Sequence, residues 1–577
     1  IVVGAAVLVF GCIIAGTLIA RTFLANNTLP IALGTSPAAT EAAPAGSIAI
    51  EISSSNTKED WMNAAVKQFN GEQHKIASGE AIFVQVKHVT SGGSQQDILG
   101  GKAKPVVWSP GDQSWIDGAN QVWTDRTGQA LIKDVCRPTV FAPIGFAMWR
   151  PMAEALGWPE KPISWDDLAD LSANPDGWAS KGHPEWGQFK FGHTHPDFSN
   201  SGLLIMTALA YSVQGKITGL TPDIVFAPEV EAAFQRVEQN TYHYGIQSRP
   251  LMQLLARRGP DYLHAVNTSE AEVLKTNAEF KDQLRFQLVF IFPSKGTFWT
   301  EQPYCVLDGA DWVTDQQKEA AKVFRDYLLD PQRQNMAVDY YLRPVDTTIA
   351  LRTPFDLDNG TDPRVTLETV PALTSPSGEV ASAIKDLFHK TKKKATIMLV
   401  IDTSGSMQGD KIKSAAESSV NFLKRVDPND EIYAVGFGSD VYSLGGGRAG
   451  DEGENLVKAL GGIFASGNTS LYDAVCQAVE KTSQLQADDK TNGRRRLYGV
   501  VLLSDGEDTS SVRSENQMFN CLPDGESVEG IKVFTIAFGE DANADLMLRI
   551  ANRTNGRTFK GDPDTIDTIY NSISAEQ

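Results

Sequence analysis

Apolar and polar positions alternate in two ways along the 577-residue chain. In the first, a short strand-like run enters a cluster of small polar residues and gives way to apolar positions at helical spacing. SIAIEISSS (Ser47 to Ser55) leads through a Ser/Asn/Thr cluster into EDWMNAAVKQFN (Glu59 to Asn70), and AIFVQVKHVTSGGSQQDIL (Ala81 to Leu99) and PVVWSPGDQSWI (Pro105 to Ile116) repeat the unit. Strands alternating with helices predict a parallel α/β sheet, and polar loops at the carboxyl ends of such strands are where ligands bind. In the second, ATIMLVID, EIYAVGFGS, RRLYGVVLLSD and KVFTIAFG are nearly unbroken apolar runs separated by helical stretches, the pattern of strands buried on both faces.

The first 20 residues, Ile1 to Ala20, carry no charge, and about 20 helical residues span the roughly 30 Å hydrocarbon core of a bilayer. Residues 1–24 therefore read as one transmembrane anchor and 25–46 as an Ala/Pro/Thr-rich tether. A cleaved signal peptide is the alternative, although its apolar region would be shorter; Gly11-Cys12 fits a lipoprotein site poorly, because the sequence stays apolar beyond the cysteine. The main body runs from 47 to 350. Residues 351–394 form a connecting segment, rich in Pro, Thr and Asp from Leu351 to Glu379, that reads as a flexible joint before a helix ending in Lys390 and Lys392 to Lys394. The last unit spans 395–577.

Composition narrows the function. With 52 Lys and Arg against 71 Asp and Glu, the net charge of -19 disfavours nucleic acid and anionic lipid surfaces as partners. The chain lacks a G-x-S-x-G elbow, an H-E-x-x-H helix and a G-x-x-x-x-G-K-[ST] loop, so it reads as a binding protein and not an enzyme. His183, His193 and His195 lack the carboxylate or cysteine partners at zinc-site spacing. Five cysteines leave Cys136 and Cys305 in the middle region and Cys476 and Cys521 in the last third, two per unit, which fits disulfides in an oxidising compartment or four buried apolar thiols.

The pieces SSSNTKEDW, SGGSQQDI, VVWSPGDQSW, FAPIGFAMWR, HPDFSNSGLL and YCVLDGADWVTDQQKEAAKVFRDYLL resemble the two-lobed extracellular solute-binding proteins of bacterial transport systems. That resemblance implies that helix entries line a cleft between two lobes. It also implies that FAPIGFAMW and YCVLDG are the hinge crossings, with Cys136 and Cys305 near each other. Ser54, Ser55, Ser94, Ser109, Ser199 and Ser201 are then candidates to hold a small polar solute, because hydroxyls and N–H groups at helix starts bind anions and polar solutes. The same serines read equally well as N-caps.

In the last third, D-T-S-G-S-M-x-G-D-K, G-N-T-S-L-Y-D-A and L-L-S-D-G-E-D resemble the von Willebrand factor A (VWA) domain. The resemblance implies a doubly wound, Rossmann-like fold carrying a metal-ion-dependent adhesion site, whose ligands here fall on Asp402, Ser404, Ser406, Thr469 and Asp505. Carboxylate and hydroxyl oxygens without Cys or His select a hard divalent cation, Mg²⁺ before Mn²⁺ or Ca²⁺. The family implies that an Asp or Glu of a protein partner completes its shell. The whole chain then reads as an α/β protein, a periplasmic-binding-protein-like domain and a VWA domain behind a single-pass anchor, with its bulk outside the cytoplasm. Its expected role is adhesion or scaffolding through the metal. A solute receptor using the cleft is the alternative, and a chelatase-like subunit a more distant one.

Overall fold

The computed structural model describes residues 42–523, 530–540, 542–566, 569–570 and 573. The proposed anchor and almost all of the tether lie outside these residues, and among the described residues no helix is long and apolar enough to cross a membrane.

The first lobe is built on a four-stranded sheet in the order Cys305–Val306, Val107–Ser109, Ile48–Ser54, Ile82–His88. The last three are parallel and the first is antiparallel. The helix Glu59–Glu72 buries Trp61, Met62, Ala65, Val66 and Phe69, the stripe its spacing predicts. The second lobe departs from the expected parallel sheet. Its central strand, Val140–Trp149, pairs antiparallel with Ala265–Ser269, Leu288–Ile291, Trp299–Thr300 and Arg343–Pro344, while Phe191–Thr194 and Thr241–Gly245 extend the sheet in parallel.

FAPIGFAMW is therefore a core strand and not a hinge crossing: apolar on both faces, it is almost wholly buried. The crossing is the short polar segment before it. Arg137 and Tyr304 exchange backbone hydrogen bonds of 3.1 and 2.8 Å, Thr139 N donates to Glu301 O at 3.0 Å, and Cys136 is disulfide-bonded to Cys305 with a Cα separation of 4.6 Å.

Residues 351–379 are not a flexible joint. Phe355, Val370 and Leu373 are buried, Phe290 N donates to Gly360 O at 2.7 Å, and Thr297 and Leu373 exchange backbone bonds with Pro371 and Thr297 at 3.0 and 2.9 Å. A few apolar residues seat an otherwise polar segment on the second lobe, an effect composition alone does not reveal. The helix Gly378–Thr391 follows, and the next strand starts at Lys394.

That strand, Lys394–Asp402, lies inside a six-stranded sheet ordered Val441–Arg448, Glu431–Phe437, Lys394–Asp402, Arg496–Ser504, Lys532–Phe538, Thr558–Gly561, parallel throughout except at its first edge. Ile397, Leu399 and Ile401 enter one apolar cluster, and Met398 and Val400 the cluster on the opposite face. Helices cover both faces, and Cys476 is bonded to Cys521 with a Cα separation of 5.4 Å. Because Lys394–Asp402 is flanked by later strands on both sides, its carboxyl end opens at the point where the chain switches direction across the sheet. The amino end meets the second lobe: Lys532 Nζ donates to Tyr242 O at 3.1 Å, Lys393 Nζ to Thr241 O at 3.1 Å, and Arg258 to Asn555 Oδ1 and Gly556 O at 2.7 and 2.9 Å.

Candidate metal centre and solute cleft

Three loops meet at the carboxyl edge of the six-stranded sheet. Asp402, the last residue of its strand, is fully buried; its Oδ1 accepts Ser404 N at 2.8 Å and its Oδ2 accepts the Ser504 hydroxyl at 2.5 Å. Burial pushes its carboxyl above the usual carboxylate range. Ser404 Oγ lies 2.9 Å from Ser406 Oγ, which donates to Asp505 Oδ1 at 2.8 Å. Thr469 enters from the loop before the helix Leu471–Thr491, fixed by Gly405 N to Gly467 O at 3.0 Å and by a Thr509 hydroxyl accepting Thr469 N at 2.8 Å. A Cβ placed on Gly506 would stand 3.7 Å from Ser406 Oγ and 4.0 Å from Thr469 Oγ1, so both hydroxyls face one small space beside Asp505. All five sequence-predicted residues are thus on one sheet edge, and Ser406 is the exposed one.

The donor chemistry fits a hard cation: two buried carboxylates and three hydroxyls, oxygen throughout. Among the described residues no group of three or more His, Cys, Asp or Glu side chains is set to hold a metal. The three histidines weighed in the sequence are separately engaged, His183 with Glu185 at 2.9 Å, His193 with Glu238 at 3.1 Å and His195 near Asp197 at 3.8 Å. One participant had no assigned role in the sequence. Lys411, the last residue of the D-T-S-G-S-M-x-G-D-K motif, places Nζ 2.5 Å from Asp505 Oδ2.

Between the two lobes lies a cavity of about 50 Å³. Ser55, Ser199 and Ser201 line it; Ser54, Ser94 and Ser109 do not. Ser54 precedes Ser55 on an alternating strand and points the other way, with Oγ 3.4 Å from Ser55 O. Ser94 is bonded to Ser91 O and Trp108 Nε1 at 2.9 Å each, and Ser109 donates to Pro303 O at 2.7 Å. Neither Ser55 nor Ser199 makes a side-chain cap bond at its helix start. Ser55 instead donates to Gln302 Oε1 at 2.7 Å, and Ser201 lies 3.1 Å from Ser199 and 2.7 Å from Ser248. The lining residues missed in the sequence include Thr90, Ser91, Ser248, Arg249, Ser269 and Glu272.

Beneath the cavity a lysine does what no pattern announced. Lys58 is fully buried and spends its three donors on Ser55 Oγ, Ser109 O and Gln302 Oε1 at 2.7, 2.8 and 3.1 Å. With only neutral acceptors around it, burial holds its pKa far below the ordinary lysine range. It ties the first lobe to Gln302, which stands in the hinge crossing with a φ of 44°.

Two lobes hinged around a polar cavity, followed by a doubly wound domain with carboxylate and hydroxyl side chains gathered at its switch point, define a two-module protein. The comparisons agree. The family described as "Bacterial extracellular solute-binding protein" matches residues 50–343, half of the chain, and "von Willebrand factor type A domain" matches 396–571. The chain belongs to the bacterial extracellular solute-binding protein family and carries a VWA domain behind the solute-binding one. Over 171 residues it is 28% identical to inter-alpha-trypsin inhibitor heavy chain H1 of Sus scrofa, covering 29% of this chain and 19% of that protein. Heavy chain H4 of Homo sapiens is 28% identical over 169 residues, 28% of this chain and 17% of that protein. The chain thus spans less than a fifth of either relative.

Solved structures similar to it include the sulfate-binding protein SubI from Mycobacterium tuberculosis H37Rv (16% identity, 52% of this chain and 88% of that one, TM-score 0.36). The periplasmic binding protein AfuA from Actinobacillus pleuropneumoniae is similar over 60% of this chain and 97% of that one (17% identity, TM-score 0.39). A von Willebrand factor type A structure from Catenulispora acidiphila covers 32% of this chain and 43% of that one (19% identity, TM-score 0.28).

Proposed function

We propose that the protein is a membrane-tethered, extracytoplasmic scaffold that engages protein partners through a divalent cation held by Asp402, Ser404, Ser406, Thr469 and Asp505. The observation that carries this reading is the convergence of the five residues on the sheet edge opposite the end that docks on the second lobe. Mg²⁺ is the favoured ion, with Mn²⁺ or Ca²⁺ as substitutes, and the cation supplies the positive charge that lets a partner's Asp or Glu join two buried carboxylates. The test is partner capture by the full chain in Mg²⁺ and in chelator. Capture lost in chelator is expected; equal capture in both sinks the reading.

Lys411 sets the strength of that site. Its ammonium already neutralises part of the charge of Asp505, whose side chain is fully buried, so it competes with an incoming cation. Lys411→Ala is expected to tighten Mg²⁺ binding about tenfold, about 1.4 kcal/mol, in calorimetric titration. Weaker binding would show that Lys411 helps to hold the site, and unchanged binding that it plays no part in cation affinity.

The cleft supports a second reading, as a solute receptor, carried by the hydroxyl-lined cavity with Arg249 on its wall. Arg249 is paired with Glu272 on the same wall at 3.3 Å, so the hydroxyls and helix starts are what would hold a small oxyanion there. Calorimetric titration of the full chain with sulfate, phosphate and a neutral monosaccharide decides this, with heat from an oxyanion alone as the expected result and heat from the sugar alone as the contrary one.

A further inference from the structure

We infer that the helix Gly378–Thr391 is a clasp that holds the solute-binding lobes closed, and that the second lobe, this helix and the VWA domain move as one body against the first lobe.

The helix packs on Gln113–Thr127 of the first lobe and on Asn200–Gln214, Pro222–Val225 and Pro228–Glu238 of the second. On the first-lobe side, just ahead of the helix, Ser375 Oγ donates to Asp112 Oδ2 at 2.8 Å; Lys385 Nζ stands 4.6 Å from the centre of the Trp115 ring. Gly378 meets Gly118 closely: a Cβ on Gly378 would lie 3.2 Å from Gly118 Cα, so a large side chain there pushes against that backbone. On the second-lobe side His389 Nε2 lies 2.8 Å from Asp197 Oδ2, Lys390 Nζ 2.7 Å from Glu231, and Phe388 sits edge-on to His195 with 4.8 Å between ring centres.

The lobes under this helix are shut. Gly92 N donates to Phe198 O at 3.3 Å and Trp115 Nε1 to Asn200 Oδ1 at 2.9 Å, both across the cleft. A solute larger than the cavity enters only when these bonds part, and the helix, bonded to both lobes, must then let go of one. The two sides are unequal. The second lobe is also held to the VWA domain by Lys532, Lys393 and Arg258, and Thr391 is followed after two residues by the strand that ends in Asp402. Release therefore occurs at the first lobe, where the helix packs on one helix, Gln113–Thr127, with one hydrogen bond and one cation–ring contact, against three helices on the second lobe. Opening then carries the carboxyl edge of the VWA domain with the second lobe, so the state of the cleft sets where that edge is presented. This holds whatever occupies either site.

The amide of Gly92 reports opening directly, through hydrogen exchange followed by mass spectrometry on the full chain. Gly378→Leu, which wedges the helix off Gly118, is expected to speed exchange at Gly92 at least about tenfold while the strand Lys394–Asp402 stays protected. The double variant Ser375→Ala, Lys385→Ala, which adds no bulk, is expected to act in the same direction and decides the matter should the wedge variant fail to fold. Spin labels at Ser78, Ile217 and Val512 in a Cys12→Ser background test the shared motion. In the released variant the distance from 78 to 512 should spread while that from 217 to 512 is kept. Unchanged Gly92 exchange in the double variant, or a spread of the 217 to 512 distance, overturns the clasp.

Discussion

Asp402→Ala is expected to abolish the stabilisation that Mg²⁺ gives the full chain while leaving its fold in place. A cation that binds only the folded state stabilises it by about 2.7 kcal/mol at one hundred times its dissociation constant, a readily measured rise in melting temperature. Asp402 is the carboxylate at the end of the central strand, and without it the remaining donors are three hydroxyls and an Asp505 already bonded to Lys411. Little negative charge is then left to offset the loss of the cation's waters. The variant also leaves Ser404 N without its side-chain acceptor and the Ser504 hydroxyl proton without its own, at a cost of about 1–3 kcal/mol for each, but it removes a buried carboxylate that lies beside Asp505 and is pushed toward its neutral form. These effects oppose one another at a surface edge, so the metal-free melting temperature should move far less than the Mg²⁺-dependent increment. Calorimetric scans of both proteins in Mg²⁺ and in chelator give the answer: a Mg²⁺ increment retained in Asp402→Ala places the cation elsewhere.

The residues of that edge were legible because their geometry is local. Asp402, Ser404 and Ser406 lie within five positions, on a strand whose apolar run fixes where it must end. Lys411 stood inside the same motif, but its role depends on reaching an aspartate 94 positions away, which no local pattern encodes.

The cleft was half legible for the same reason. Ser55, Ser199 and Ser201 follow recognisable strand-to-helix turns, yet strand alternation turns Ser54 away and helix geometry turns Ser94 onto Ser91 and Trp108. Ser248, Arg249, Ser269 and Glu272 went unseen because the strands before them, TYHYG and AVNTS, are five residues long and polar, without the apolar run that marks a buried strand. Lys58 reads in NTKEDW as a surface charge. Its burial depends on acceptors brought together from afar, Ser109 O and the Gln302 side chain of the hinge crossing.

The second lobe is expected to fail first in acid, and three histidines set the range. His195, His243 and His264 are almost wholly buried, and burial holds their pKa values below the ordinary 6.5, to about 3 for His195 and His264 and well below for His243. Their ring nitrogens are committed as acceptors. His264 Nδ1 takes Trp178 Nε1 and Lys190 N at 3.0 Å each, and His195 Nδ1 takes Asp197 N at 3.3 Å. Each ring is thus neutral when folded and binds a proton readily only when unfolded. Below pH 6.5 the unfolded chain holds more protons, so stability is complete above that value and falls as the pH drops, for His195 and His264 down to about 3. At pH 5, one and a half units below the unfolded value, His195 and His264 each cost about 2 kcal/mol, about 4 kcal/mol together, a large part of the stability of an ordinary domain, and His243 acts in the same direction. Asp197, its pKa drawn down to about 2 with help from His389, adds its own loss only below about pH 4, so the two ranges separate. Calorimetric scans of the full chain at pH 7.5, 6 and 5 should show the solute-binding transition moving down steeply. His264→Asn, which removes one of the protons taken up, should flatten that slope. An unchanged slope in this variant would take His264 out of the mechanism and move the acid sensitivity to other groups.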